Sequence, residues 1–199
     1  MKITEIFKQQ KRTFSFEFFP PKDEISALDF ERDKGPHMTL EPSFVTVTYG
    51  AGGSTQERTF AIVDYLHNRI GLTCMAHYTC VNASKEKIRE DIKYLSKIDI
   101  ENLMLLRGDP PQGMNKFMDN VDGFNHASDL ITFVKKLGKF CIGGATYPEK
   151  HLEAKDIEED LHYLKIKLKA GADFLVTQLF FINDLYFDFV KRAKEHGIN

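Results

Sequence analysis

The fold is indicated first by a stretch at residues 13–21, which reads Thr13-Phe14-Ser15-Phe16-Glu17-Phe18-Phe19-Pro20-Pro21. Its side chains alternate between two faces as in a β-strand, and the prolines end the strand because they cannot donate a sheet hydrogen bond. Glu17 therefore lies near the C-terminal end of a strand, between phenylalanines. Apolar surroundings disfavour the charged carboxylate, so Glu17 is a candidate proton donor. The alternative is a strand glutamate paired with an arginine or lysine.

The composition is that of an ordinary globular chain. It has 199 residues, 42% of them hydrophobic and 28% charged, and its net charge of -2 comes from interspersed Lys and Glu. No run approaches the roughly 18 apolar residues of a membrane-spanning helix, and no charge block suggests a nucleic-acid partner. The three cysteines form no CxxC motif, which favours reduced thiols in a cytoplasmic protein. We expect one domain, residues 1–199, with no nucleic-acid or membrane partner.

Strand-like runs recur about every 30 residues along the chain. They begin near Thr13, Phe44, Leu72, Asn102, Phe140 and Asp173. Amphipathic helical patterns lie between them, with Ser84 as a predicted N-cap and Gly138 and Gly171 as predicted C-terminal stops. Strands that alternate with helices at this spacing predict an α/β fold with a parallel sheet.

Two parallel architectures are compatible with this alternation, the doubly wound sheet and the (β/α)8 barrel. A doubly wound sheet often carries a glycine-rich loop after its first strand, whereas a barrel collects polar groups from many strand ends. Here the first strand ends in prolines, and polar residues end all six strands. They are Glu17, Thr48, His77 with Thr79, Arg107 with Asp109, Tyr147, and Gln178. This distribution favours the (β/α)8 TIM barrel.

Alternation also assigns the two faces of each strand. Counting back by two from the polar residues places Ser15, Thr46, Met75, Leu105, Ala145 and Val176 on the barrel interior. The more uniformly apolar residues Phe16, Val45, Val47, Met104, Leu106 and Leu175 would then face the helices. Eight such units require about 250 residues, so only about six of the eight βα units are expected in this chain. We therefore expect an incomplete catalytic barrel that lacks the last two units, or one that another chain completes.

Two segments at strand ends contain candidate binding groups. Residues 48–54 follow the second strand with a glycine-rich loop that is neither a Rossmann nor a P-loop motif, so it is a ligand loop or a tight βα turn. Arg107 and Asp109 end the fourth strand and are expected to point toward the barrel mouth, where a buried pair would need a polar ligand. The seven histidines show no metal-binding spacing, and no nucleophile motif is present. The sequence therefore predicts no metal site.

Seven segments of the chain together resemble the bacterial methylenetetrahydrofolate reductase family. They are SFEFFPP at 15–21, VTYGA at 47–51, AHYTC at 76–80, LRGD at 106–109, ASDL at 127–130, YPE at 147–149 and TQLFF at 177–181. Each is weak alone, but all seven occur in the family's order and spacing. The resemblance implies an FAD-dependent (β/α)8 enzyme of one-carbon metabolism and methionine biosynthesis, and a homo-oligomer when complete.

The resemblance also implies a reaction and its residues. Reduced nicotinamide, NADH or NADPH, passes a hydride to FAD and leaves; methylenetetrahydrofolate then takes its place and receives the hydride. Glu17 matches the family's general acid, Asp109 a pterin-binding residue near the flavin, and Gln178 a residue that contacts folate and nicotinamide in turn. The positions matching flavin contacts are Thr48, Tyr49, Ala51, His77, Arg107, Gly108, Asp109, Ala127, Tyr147, His151, Ala154, Asp160 and Lys167.

The chain departs from the family pattern at His126, where a tyrosine is common, and at Ile166, where a basic residue is usual. Two other functions remain as alternatives. A folate- or flavin-binding barrel without turnover would follow from the missing units. A Schiff-base lyase is disfavoured because no lysine lies at a predicted inward strand end.

Overall fold

The computed structural model describes residues 1–20, 39–50, 56–109 and 120–198. Its strands are β1 (Ser15–Phe18), β2 (Phe44–Val47), β3 (Cys74–Thr79), β4 (Asn102–Leu106), β5 (Cys141–Thr146) and β6 (Phe174–Thr177). Its α-helices are α1 (Ile3–Gln9), α2 (Gln56–Asp64), α3 (Lys85–Lys97), α4 (Ala127–Leu137), α5 (Ile157–Ala170) and α6 (Asn183–Glu195). A π-helical turn, Tyr65–Arg69, extends α2. The six predicted strands are therefore confirmed, each within two residues of its expected start.

The strands form one parallel sheet in the order β1-β2-β3-β4-β5-β6. Each strand thus pairs with its neighbours in sequence, and no crossover reverses the order as it would in a doubly wound sheet. Adjacent strands are in register through Glu17, Thr46 and Met75, which are successive Cα partners. Sequential parallel order with helical connections is the arrangement of a partial (β/α)8 barrel, as the sequence predicts.

The two faces of the sheet pack into different hydrophobic clusters, and on the outer face Leu175 of β6 packs against a third cluster with α5 and α6. One cluster gathers outward strand residues and the helices, and includes Val45, Val47, Leu103 and Leu105. The other lies on the inner face, around Phe44, Met75, Met104 and Cys141, with Leu106 and Ala145 packed against it. Five of the six strands face as predicted from alternation.

The predicted facing of β4 is wrong. Leu105 packs outward, whereas Met104 and Leu106 face the interior, because Met104 is the Cα partner of His77. The prediction counted back from Arg107, but β4 ends at Leu106 and the chain turns at Gly108 with a φ of +94°. Strand alternation therefore does not extend to Arg107.

Helix α1 closes the N-terminal end of the barrel. Ile3 and Ile6 insert into the inner cluster and are nearly completely buried. The side chain of Asn102 accepts a hydrogen bond from Ile3 N at 2.8 Å and donates to Met1 O and Cys74 O. A buried amide is stable only when such partners satisfy it, so Asn102 anchors α1 to the sheet.

The helix ends agree in part with the caps predicted from the sequence. Ser84 caps α3, since its hydroxyl accepts from Lys87 N at 3.2 Å, and Gly171 ends α5 in the left-handed region with φ +117°. Gly138 follows α4 as predicted, but its φ of -177° is extended, so it is not a left-handed cap.

The sheet has two outer strands. Among the described residues, β1 pairs with β2 alone and β6 with β5 alone. Large apolar side chains are exposed beside these edges, including Phe14 and Phe19 near β1 and Leu179, Phe181 and Phe187 after β6. In the described ranges, no helix is long and apolar enough to span a membrane.

Candidate functional site

The C-terminal ends of the strands gather the predicted acid and two of its neighbours. The carboxylate oxygen Oε2 of Glu17 lies 3.5 Å from the hydroxyl of Thr46 on β2 and 3.6 Å from Nε2 of His77 on β3. The Glu17 side chain is half exposed, whereas Thr46 and His77 are buried. The acid is therefore held against the inner wall with part of its surface open to the barrel mouth.

Burial shifts the pKa values of Glu17 and His77 in opposite directions. It raises the pKa of the Glu17 carboxyl, and the hydrogen bond from Thr46 partly opposes this shift. It lowers the pKa of His77 to about 4, because the charged imidazolium is desolvated. His77 is thus neutral at pH 7, and its contact with Glu17 is not an ion pair. A carboxyl with a raised pKa beside a neutral imidazole is suited to donate a proton.

The loop after β5 brings a second group of predicted residues together. Asp160 accepts a hydrogen bond from His151 N at 3.0 Å, and the rings of Tyr147 and His151 meet edge to face at 4.8 Å. Burial raises the pKa of Tyr147, and the negative charges of Asp160 and Asp109 raise it further. These residues therefore share one electrostatic environment at the mouth.

Arg107 forms a bidentate ion pair that the sequence did not predict. Its two terminal nitrogens each lie 2.7 Å from a carboxylate oxygen of Glu153. This hydrogen bonding raises the pKa of Arg107 and lowers that of Glu153. Arg107 is partly buried and Glu153 is exposed, so the pair lies at the rim.

Lys167 reaches from α5 to the end of β5. Its ammonium donates a hydrogen bond to the carbonyl of Ala145 at 2.5 Å. Its aliphatic chain crosses Gly144, where an added Cβ would lie 2.9 Å from Lys167 Cδ. Burial lowers the pKa of Lys167, and the nearby charge of Asp160 opposes that shift. Lys167 is therefore partly buried between α5 and β5 rather than fully solvated.

The remaining predicted residues lie around these two groups. Thr48 follows β2, and its carbonyl accepts a hydrogen bond from Thr59. The Tyr49 ring packs on Tyr78 at 5.2 Å in the helix-side core, so only its backbone can face the mouth. Gly108 and Asp109 follow β4, and Ala127 begins α4. Two of the residues are fixed by backbone hydrogen bonds: Ala154 N donates to His151 O, and Gln178 N donates to Thr146 O. Ala51 lies outside the described residues.

Sequence reasoning assigned no functional role to three polar residues in this region. Thr46 contacts Glu17, and Glu153 pairs with Arg107. The hydroxyl of Thr79 is buried, and no described residue forms a hydrogen bond with it. Thr46 and Thr79 were visible as polar residues on predicted inner faces; no signal marked Glu153.

Neither the cysteines nor any group of metal ligands among the described residues forms a reactive site. Cys74, Cys80 and Cys141 are buried free thiols, and burial raises the pKa of Cys74 to about 12 and of Cys80 to about 11. Such thiols are poor nucleophiles. Within the described ranges, no three His, Cys, Asp or Glu side chains are grouped as a metal site.

Comparison with known proteins gives a consistent result. A family model described as methylenetetrahydrofolate reductase matches residues 2–199. The 5,10-methylenetetrahydrofolate reductase of Pectobacterium carotovorum subsp. carotovorum is 37% identical over 191 residues, covering 96% of this chain and 62% of the relative. Methylenetetrahydrofolate reductase (NADH) 1 of Arabidopsis thaliana is 39% identical over 209 residues, covering 100% of this chain and 35% of the relative. The chain thus spans about one third to three fifths of the length of these relatives.

Solved structures show the same fold at low identity. A Clostridium thermocellum protein described as binding two copies of 5-methyl-5,6,7,8-tetrahydrofolic acid gives a TM-score of 0.63 at 13% identity, covering 98% of this chain and 65% of that one. A phosphoenolpyruvate phosphomutase from Streptomyces platensis subsp. rosaceus gives 0.65 at 13% identity, covering 96% and 68%. At these identities the likeness concerns the fold alone.

The lowered pKa of His77 predicts a pH-dependent stability. Between pH 6.5 and about 4, His77 is protonated in the unfolded chain but neutral in the folded one. The free energy of unfolding therefore falls as the pH is lowered through this range. Replacing His77 by Gln should reduce the loss of unfolding free energy between pH 7 and pH 5 by about 2 kcal/mol. Urea unfolding followed by circular dichroism at both pH values measures this difference.

A matched control separates titration from packing. Met75→Leu alters a buried, non-titrating side chain on the same inner face and strand, so it should retain the wild-type pH dependence. An unchanged pH dependence in His77→Gln would contradict the assignment of a desolvated neutral imidazole.

Proposed function

The chain belongs to the methylenetetrahydrofolate reductase family, and we propose that it forms the main part of a flavin-dependent oxidoreductase that reduces 5,10-methylenetetrahydrofolate to 5-methyltetrahydrofolate with NAD(P)H. The observation that carries this proposal is the environment of Glu17. Its carboxyl is half exposed at the barrel mouth, has a raised pKa, and lies beside a neutral imidazole. This is the environment that a general acid requires near neutral pH.

Glu17 supplies the proton in this reaction. The bridging carbon of the folate accepts a hydride only after its five-membered ring opens, when the bond to one nitrogen breaks. Glu17 protonates that departing nitrogen and becomes a carboxylate, and the incoming hydride completes the methyl group. The net change consumes one reduced nicotinamide and one proton for each folate. Oxygen Oε2, contacted by Thr46 and His77, keeps the carboxyl oriented during this transfer.

The cofactor that fits the mouth is FAD, which when bound would carry the hydride from reduced nicotinamide to the folate. Several observations support the fit. The charge of Asp160 acts on Lys167, and Asp160 and Arg107 both act on Tyr147, so two cationic side chains lie around Tyr147, where a diphosphate would need them. The buried hydroxyl of Thr79 lacks a hydrogen-bond partner among the described residues. Gly108 lies directly against Thr79, since an added Cβ would approach Thr79 Cβ to 2.9 Å.

Two further residues are proposed to bind substrate. Asp109 is exposed at the end of β4, and its charge acts on Tyr147 across the mouth. A carboxylate there can accept hydrogen bonds from the pterin of the folate. Gln178 is exposed directly after β6, where its amide can bind folate and nicotinamide in alternation, as a ping-pong order requires. We propose a cytoplasmic location, in keeping with three free cysteines.

We also propose that two further βα units complete the barrel and the folate pocket, and that the complete protein is a homo-oligomer. The support comes from β6, which pairs with β5 alone within the described ranges, and from apolar side chains exposed near the outer strands, such as Phe19 and Leu179. A strand edge without a partner among the described residues, beside exposed apolar surface, favours association with additional structure.

The proposed completion is testable on the sheet edges. In the longest product of the gene, backbone amides of β6 should exchange with deuterium at least tenfold more slowly than in the 199-residue chain, because pairing protects them. Light scattering reports whether the short chain instead associates with itself. Equal protection in both proteins, with a monomeric short chain, would contradict the proposal.

Glu17→Gln should separate the two half-reactions. The amide cannot donate an acidic proton, so folate reduction should fall by at least about 10²-fold, while flavin reduction by NAD(P)H should stay within about twofold. Stopped-flow absorbance of the flavin measures each half-reaction. An equal loss in both would remove Glu17 from the role of acid. No reoxidation of the wild-type reduced flavin by methylenetetrahydrofolate would favour a binding barrel without turnover.

Lys167→Met should weaken FAD binding by about tenfold or more, because the substitution keeps the aliphatic chain and removes a partly buried cation. Quenching of flavin fluorescence on titration gives the dissociation constant. Lys169→Met on the same helix is the matched control, since Lys169 is exposed, and it should bind FAD like the wild type. A wild-type protein that stays colourless after FAD is added would overturn the flavin assignment itself.

A further inference from the structure

Both polar contacts of Glu17 end on the same carboxyl oxygen. The Thr46 hydroxyl and Nε2 of His77 lie 3.5 Å and 3.6 Å from Oε2, and no described residue donates a hydrogen bond to Oε1. The two oxygens of the acid are therefore inequivalent. A protonated carboxyl carries its hydrogen on one oxygen and accepts on the other, so this asymmetry bears on which oxygen holds the proton.

Thr46 is fixed in place more firmly than Glu17. It is the direct Cα partner of Glu17 in the parallel pair of β1 and β2, and it is 6% exposed. Its hydroxyl can always turn its hydrogen toward an acceptor, whereas a neutral imidazole nitrogen donates in only one of its tautomers. Thr46 can thus donate a hydrogen bond to Oε2 whichever tautomer His77 adopts.

We propose that Thr46 is a positioning residue for Glu17, whose hydroxyl holds Oε2 as the acceptor and leaves Oε1 to carry the transferable proton. This inference rests on the proposed role of Glu17 as the acid. Both contacts are long for hydrogen bonds, as is common in an active site before its substrate binds. The alternative role of Thr46 is to fill a β-strand position, which valine would fill equally well.

The groups that face Glu17 limit what else can set its protonation. His77 is the titratable side chain that contacts it from β3, and β2 contributes the neutral hydroxyl of Thr46. Within the described residues, no other strand pairs with β1. A hydrogen bond to the carboxylate favours the charged form, so removing the Thr46 hydroxyl should make Glu17 a weaker acid.

Titration of the Glu17 carboxyl tests this directly. Carbon-13 NMR of the chain labelled at glutamate carboxyls, with the Glu17 signal assigned by its loss in Glu17→Gln, gives the pKa without any turnover. Thr46→Val should raise that pKa by about half a unit or more, since a hydrogen bond to a charged group is removed. Thr46→Ser keeps the hydroxyl and should stay within about 0.2 units of the wild type. An unchanged pKa in Thr46→Val, or a shift in Thr46→Ser as large as that in Thr46→Val, would overturn the proposal.

Kinetics of the complete protein give the second measurement. In Thr46→Val the pH at which the rate of folate reduction declines should increase by the same amount as the pKa of Glu17, and the maximum rate at low pH should fall several-fold. The rate of flavin reduction by NAD(P)H should stay within about twofold. If Thr46 had a structural role alone, Thr46→Val would lower the rates of both half-reactions without changing the pH dependence of folate reduction. That result would also overturn the proposal. Thr46→Ala replaces Thr46→Val if the latter does not fold. Failure of wild-type folate reduction would instead refute the proposed function, and the NMR result would still decide the contact between Thr46 and Glu17.

Discussion

The parallel pairing of six strands in sequential order determines where polar side chains can lie in this molecule. Helices cover the outer face, so that face accepts apolar residues such as Val45 and Leu103, and α1 seals the N-terminal end through Asn102. The C-terminal ends of all strands meet at the opposite end of the barrel. Glu17, His77, Tyr147 and the residues after β4 consequently converge there although they are far apart in sequence.

Burial at that end of the barrel changes the pKa values of both Glu17 and His77. The same loss of solvent that raises the pKa of Glu17 lowers that of His77. If His77 were charged at neutral pH, its attraction would stabilise the Glu17 carboxylate and lower the pKa of the acid. A neutral histidine does not oppose the raised pKa of Glu17. Both shifts have the same main cause, which is the loss of solvent around the two side chains.

The sequence predicted what depends on periodicity and missed what depends on the path of the chain between elements. Strand starts and the inward positions of Thr46, Met75 and Ala145 followed from spacing and alternation. The facing of β4 was wrong because the turn at Gly108 breaks the alternation beyond Leu106. Glu153 was missed for the same kind of reason, since its pairing with Arg107 depends on how the loop after β5 folds back over β4, at a separation of 46 residues.

The cations at the mouth differ in how freely they can meet an anionic ligand. Arg107 is already neutralised by both carboxylate oxygens of Glu153, so an incoming phosphate would have to compete with that bidentate pair. Lys167 instead donates to the uncharged carbonyl of Ala145. Burial lowers the pKa of Lys167, and the charge of Asp160 opposes that shift only in part. Exchanging a carbonyl for a phosphate oxygen sacrifices a neutral hydrogen bond and gains a charged one. In the proposed complex with FAD, Lys167 would therefore be the cation that contributes most to holding the diphosphate, and Arg107 would contribute only where the exposed Glu153 moves away.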